Sequence, residues 1–240
     1  MSAVHYSAAN GVATLTLNRP ESRNALNFEM CEGIIQAVAS AASDQSIKLF
    51  FVRAKGRAFC AGADLKEREG MSAERVRERR MKGFAAYAAL EALPMPSIAV
   101  VEGPAVGSGC EIAGACDFIV STPAASFRTP EAIRGTVGAT QRLPRVLGKR
   151  LAKDLMFTGR TLSAEEAREA GLVTRLVAPS DLEKTIEEIR SAVLKAPQQS
   201  LRAAKLCIDT GVELDPKGAL EAEIAAIEEQ LAAGSWMGKK

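Results

Sequence analysis

Apolar and polar positions follow two rhythms along this chain, and the switches between them mark out its elements. Val12 to Leu17 alternates apolar residues with threonine, the period-two pattern of a half-buried strand. Asn18-Arg19-Pro20-Glu21-Ser22 breaks it with loop chemistry. Asn27 is placed to cap a helix whose apolar positions Met30, Ile34, Ile35 and Val38 have helical spacing. Leu49 to Val52 and Ile98 to Val101 are short continuous apolar runs, which predict buried strands. A small-residue loop follows each, Gly56 to Asp64 and Gly103 to Gly107. Ser72 to Leu93 reads as a long amphipathic helix stopped by Pro94 and Pro96. Another helix begins at Ser108 and a strand at Phe118.

After about Gln141 the helical rhythm takes over. Helices are predicted over Leu143 to Phe157, Ala164 to Ala170, Leu182 to Leu194, Leu201 to Asp209 and Ala219 to Ala232. Only Leu172 to Val177 interrupts them as a strand. Strands and helices that alternate and then give way to helices predict an α/β core with a helical C-terminal extension. No exact repeat, low-complexity segment or clear linker divides the chain.

Composition narrows the chemistry. Thirty-one Lys and Arg against 29 Asp and Glu leave a net charge of +2, too balanced to predict a nucleic-acid partner. The Lys66 to Lys82 segment is rich in Arg but dotted with Glu67, Glu69, Glu74 and Glu78, so it reads as a solvated helix face. Five cysteines without a C-x-x-C pair suggest neither a disulfide framework nor a zinc site. No apolar run has the length of a membrane helix, and the N-terminus lacks a leader pattern, so a cytoplasmic location is expected. The only histidine is His5. A Ser-His-Asp triad, a Cys-His pair or a histidine metal site would depend on it alone. Catalysis must therefore rest on carboxylates, backbone donors or a cofactor.

Two loops share a design that suits such chemistry. Phe59-Cys60-Ala61-Gly62-Ala63-Asp64-Leu65-Lys66 leaves a strand through small residues and opens a helix. Gly103-Pro104-Ala105-Val106-Gly107-Ser108-Gly109-Cys110-Glu111 does the same. Small residues let a ligand approach the backbone, and the first N–H groups of a helix lack internal partners. Such donors suit an oxygen that gains negative charge during reaction. Structural readings compete with this one. Ser108 and Glu111 match the S-x-x-E capping box, and Glu131, after Thr129 and Pro130, fits an acidic first helical turn. Glu111 also stands ahead of Ile112-Ala113-Gly114-Ala115-Cys116, where burial would disfavour its charged form. Gly107-Ser108-Gly109 lacks the third glycine of a dinucleotide fingerprint, and Gly148-Lys149-Arg150 lacks the rest of a phosphate loop.

At these loops the sequence resembles the crotonase superfamily, the enoyl-CoA hydratases and isomerases. The resemblance runs from about Val12 to Gly234. Its pieces stand in family order: Asn18 to Leu26, Ala61 to Lys66, Gly103 to Glu111, Cys116-Asp117, Pro130-Glu131, Thr140-Gln141-Arg142-Leu143 and Ala164 to Val173. It implies a spiral of ββα repeats over 1–190 and a helical region over 191–240 that builds a homotrimer or a dimer of trimers. It implies an acyl-CoA thioester as substrate, with no separate cofactor and no metal. The oxyanion donors fall on the backbone N–H groups of Ala63 and Ser108, where the family usually has glycine at the second. Coenzyme A contacts carry over to Arg23, Ala25, Ala61, Asp64, Leu65 and Lys66. Glu111 takes the position that activates water and Glu131 that of the acid, and isomerases commonly lack one of the pair. Together they imply hydration of a 2-enoyl-CoA.

Phe59 to Arg68 with Met71-Ser72 is also similar to the 3-methylglutaconyl-CoA hydratase branch, which would give Arg128 a distal substrate carboxylate to bind. The chain departs from the family twice. It is about three residues shorter between Glu131 and Thr140, where a glycine-rich stretch borders the acyl pocket. It also ends at Lys240 without the usual final segment.

Overall fold

A computed structural model describes residues 2–234. The chain opens with β1 (Val4–Ala9) and β2 (Val12–Leu17), followed by α1 (Phe28–Ser43) and β3 (Leu49–Ala54). Two helices of unequal length come next, α2 (Leu65–Arg68) and α3 (Ala73–Glu91). The middle of the chain holds β4 (Ser97–Val101), β5 (Pro104–Val106), α4 (Ser108–Gly114), β6 (Phe118–Ser121) and β7 (Ser126–Arg128). The last part holds α5 (Arg142–Thr158), β8 (Thr161–Ser163), α6 (Ala164–Glu169) and β9 (Arg175–Leu176). Three helices end it: α7 (Leu182–Lys195), α8 (Gln198–Gly211) and α9 (Pro216–Ala232).

The large sheet runs in the order β1-β2-β3-β4-β6-β9, and a small one in the order β5-β7-β8. In the large sheet only β1 is antiparallel to its neighbour. Strands β2, β3, β4 and β6 are each followed by a short extended segment lying in a second row. Leu26 bridges Ala63, Cys60 bridges Ala105, and β5 pairs with β7. A helix then carries the chain back. This is a spiral of strand, strand and helix, although no sequence repeat announces it.

The continuous apolar runs are explained by burial on both faces. In β3, Phe50 and Val52 enter the main core, while Leu49 and Phe51 pack with Leu182, Ile186 and Ile189 of α7. Asn27 caps α1 by accepting from Met30 N–H at 2.9 Å, and Ser72 caps α3 through Arg75 N–H.

Several expectations need correction. β1 escapes the apolar–polar pattern, because its burial alternates poorly and four of its six residues are exposed. The Lys66 to Lys82 segment is two helices, and its supposed solvated face includes a buried arginine. Arg79 binds Glu67 at 2.7 Å and the Leu26 carbonyl, tying α3 to the loop beneath it. The helix predicted over Leu143 to Phe157 is interrupted at Gly148, whose φ of 72° and ψ of 159° are not helical. Of Leu172 to Val177 only Arg175 and Leu176 are strand. The ending at Lys240 lies outside the described residues.

Candidate active site

The two small-residue loops meet in the second row of the spiral. Leu26 N–H donates to the Gly62 carbonyl at 2.7 Å, and Asp64 N–H donates to the Leu26 carbonyl at 2.9 Å. In this parallel register the groups of Ala63 itself point away from Leu26. Its N–H makes no hydrogen bond among the described residues. Ser108 is the first residue of α4, and its N–H is likewise unbonded. Both residues line one small cavity together with Glu111 and Glu131.

The capping box expected of Ser108 and Glu111 does not form. Gly107 is the N-cap, with φ of 51° and ψ of −105°, a backbone state that favours glycine. A Cβ there would also lie 2.3 Å from Glu131 Oε1, so only glycine leaves room for that carboxyl group. The Ser108 side chain lies instead near the hydroxyl of buried Tyr87, close enough to oppose the rise that burial causes in its pKa. The Ser108 N–H is left free of the side chain. Gly109 lets α4 press on the first loop, since a Cβ would lie 2.5 Å from the Cys60 carbonyl.

The two glutamates face the cavity from different surroundings. Glu111 is buried on α4, and its Oε2 accepts from Arg142 Nη1 at 2.7 Å. Arg142 opens α5, also binds Glu91 at 2.6 Å, and lies 5.9 Å from the Tyr87 ring centroid. Glu131 precedes a short 3₁₀ turn, Ala132–Arg134, and does not cap it. Its Oε2 is buried without a hydrogen-bond partner. Burial pushes the Glu131 carboxyl above the usual carboxylate range, with the Glu111 charge adding to it, against the pull of Arg134 and Arg80.

An outer cleft of about 540 Å³ adjoins this cavity, sharing Ala63, Arg68, Glu131 and Thr136 with it. Ala61 and Leu65 line the cleft. Ala61 N–H donates to the Arg23 carbonyl at 3.0 Å, which sets the Arg23–Ala25 turn beside them. Arg23, Leu65 and Lys66 are exposed, and Ala25 is half-buried. Asp64 differs, because its side chain is committed within the fold. It caps α2 through the Lys66 and Glu67 N–H groups and accepts from Arg19 Nη1 at 2.8 Å. Burial opposes its charge, but Arg19 and these N–H groups outweigh it and hold Asp64 below the usual range. Arg128 is not brought to the cavity. Its Nε donates to the Gly159 carbonyl at 2.6 Å, and it lines neither space. Cys60 lies beneath the loop as a packed apolar group, its thiol pushed up to about 12 by burial.

Sequence reasoning misses Arg142 and Tyr87 as site residues. Arg142 stands 31 residues from Glu111, with no local pattern linking them. Tyr87 reads simply as one more apolar position of α3.

Residues 7–235 match the family model described as Enoyl-CoA hydratase/isomerase. The chain is 35% identical over 219 residues to crotonyl-CoA hydratase of Syntrophomonas wolfei subsp. wolfei, spanning 90% of this chain and 84% of that one. It is 38% identical over 216 residues to the mouse protein "Enoyl-CoA hydratase domain-containing protein 2, mitochondrial", spanning 85% and 72%. The crystal structure of an enoyl-CoA hydratase from Bacillus anthracis superposes with a TM-score of 0.91 at 34% identity. It covers 94% of this chain and 90% of its own.

Proposed function

Since the chain belongs to the enoyl-CoA hydratase/isomerase family, we propose that it is a hydro-lyase adding water across the 2,3 double bond of a 2-enoyl-CoA. One observation carries this reading. Two unbonded backbone N–H groups and two carboxyl groups in opposite surroundings line the same cavity. The N–H groups of Ala63 and Ser108 receive the thioester oxygen as it gains charge. Glu111, paired with Arg142, takes a proton from water while the water oxygen bonds to Cβ. The double-bond electrons move onto the thioester, forming an enolate. Glu131, kept toward its neutral form by burial, gives its proton to Cα, and the carbonyl is restored. A proton passing from Glu111 to Glu131 resets the site. No separate cofactor takes part in this scheme.

The outer cleft is the proposed path of coenzyme A, with Arg23, Ala25, Ala61, Leu65 and Lys66 along it. Asp64 acts there by shaping the loop. The 191–240 region is proposed as the subunit interface of a trimer or a dimer of trimers. Its helices α8 and α9 expose Leu206, Ile208, Leu220, Ile224 and Ile227. Covering the exposed half of each such side chain would contribute about 1 kcal/mol. Among the described residues no helix is long and apolar enough to cross a membrane. The cytoplasm is the proposed compartment, in keeping with five free cysteines.

Turnover of crotonyl-CoA tests the reading, with a 3-enoyl-CoA assayed in parallel. Hydration of the first is expected. Isomerisation of the 3-enoyl-CoA without any hydration would replace this reading by an isomerase.

A further inference from the structure

The Glu131 carboxyl group lies in a slot between two glycines. A Cβ would fall 2.3 Å from its Oε1 at Gly107 and 3.0 Å from its Cγ at Gly138. Gly107 is fixed as the N-cap of α4, and its N–H donates to the Arg128 carbonyl at 2.8 Å. Gly138 belongs to the segment running from Glu131 to α5, which is tied down less. The first part of that segment closes on itself. Arg134 and Thr136 N–H groups donate to the Glu131 carbonyl at 3.1 and 2.9 Å. Val137, Gly138 and Ala139 have no backbone–backbone hydrogen bond among the described residues. Ala139 is nonetheless buried with φ of 55°, a left-handed state that its Cβ disfavours. Such a state persists only where neighbouring groups hold it.

Arg80, half-buried on α3, reaches across to this segment. Its guanidinium donates to Thr136 Oγ1 at 2.9 Å and to the Val137 carbonyl. Both acceptors stand just before Gly138, one wall of the Glu131 slot. The neighbouring Arg79 is locked onto Glu67 and the Leu26 carbonyl, so α3 is a firm base to pull against. We propose that Arg80 is a positioning residue: it clamps Thr136 and Val137 to α3, so that Gly138 keeps the Glu131 carboxyl group in the cavity. Its part in hydration rests on the function proposed above, whereas the clamp itself does not.

NMR of the whole, ligand-free protein with isotope-labelled glutamate carboxyl groups tests the clamp without turnover, Glu131→Gln identifying the Glu131 signal. As a cation, Arg80 pulls the Glu131 carboxyl down, and burial pushes it up more strongly. Losing the clamp and losing only the charge therefore move the titration in opposite directions. In Arg80→Met the segment releases Glu131 toward solvent, and its midpoint is expected to fall toward the usual carboxylate range. Arg80→Lys can still reach one acceptor and should hold it nearer wild type. Thr136→Val removes one acceptor and no charge, and should move it the same way by less. An unmoved or higher midpoint in Arg80→Met, or in Thr136→Val if the first variant does not fold, would overturn the proposal.

Kinetics give a second measure. Arg80→Met is expected to lower kcat for crotonyl-CoA about 30-fold, with butyryl-CoA affinity within about twofold of wild type. Added to Glu131→Gln, it should change the residual rate by less than about twofold, because its effect passes through that carboxyl group. An undiminished loss in that background would overturn the proposal. So would a parallel fall in butyryl-CoA affinity, by placing Arg80 on the acyl group. A protein that hydrates no 2-enoyl-CoA but shows the expected titration sinks the hydratase reading and leaves the clamp. Hydration with an unmoved midpoint does the reverse.

Discussion

Glu111 and Glu131 approach one cavity from regions built in different ways. Glu111 rises from the first turn of α4, pressed on the neighbouring loop and bound by Arg142 from α5. Glu131 sits in an irregular turn between β7 and α5, one oxygen buried and without a partner. The residue type is the same, but one carboxyl group is paired with a guanidinium and the other is buried, which holds its proton more tightly. In the proposed reaction these surroundings, more than the chemistry of the side chain, divide the roles of base and acid.

The harshest test removes each carboxyl group in turn. Glu111→Gln and Glu131→Gln are each expected to lower kcat for crotonyl-CoA hydration by about 10³-fold, within the range for a lost acid or base. KM should move far less, because neither group holds the coenzyme. Full activity in either variant would remove that glutamate from the chemistry and dissolve the contrast.

A milder test exchanges the surroundings and keeps the carboxylates. Arg142→Met deprives Glu111 of the guanidinium that holds its carboxyl group in place. An expected loss of about 10–100-fold in kcat should come with little change in KM. Arg142→Lys should recover part of that kcat, because it can still pair with the carboxylate. Equal losses in the Met and Lys variants, with KM rising alongside, would make Arg142 a packing residue only.

The smallest effect is on stability. Burial raises the Glu131 carboxyl above its unfolded value, so the folded chain holds that proton more tightly. The stability this contributes is full below the usual carboxylate range and is lost as pH rises through the folded value. Glu131→Gln carries no such loss. Its Tm should match wild type near about pH 4 and exceed it by about 1–3 °C near about pH 8, solvent screening of the half-buried group keeping the gap small. A gap that closes as pH rises would contradict the raised value.

Much of this arrangement can be read from local patterns. Strands β2, β3 and β4 follow from their apolar rhythm, and the starts of α1 and α3 follow from Asn27 and Ser72. The four central residues, Ala63, Ser108, Glu111 and Glu131, are legible because small-residue loops and a pair of glutamates stand in a recognisable order. The structure then brings all four to one cavity. Other elements resist such reading. β1 is a mostly exposed edge strand, held by pairing to β2 and not by its own pattern. Arg79 looks like any charged helix residue until the fold buries it under Glu67 and Leu26. Arg128 looks free until it is found on the Gly159 carbonyl.

The sequence by itself determined which residue types are available for chemistry and where the backbone can be approached. A single histidine at position 5, two small-residue turns and two well-placed glutamates restrict the choice before any folding is considered. Only the tertiary structure decided how the two glutamates differ. Arg142 reaches Glu111 across 31 residues of chain, and the bare edge of Gly107 admits Glu131. A carboxyl group's proton affinity depends on the charges and solvent within a few ångströms of it, and those neighbours are set by packing across the fold.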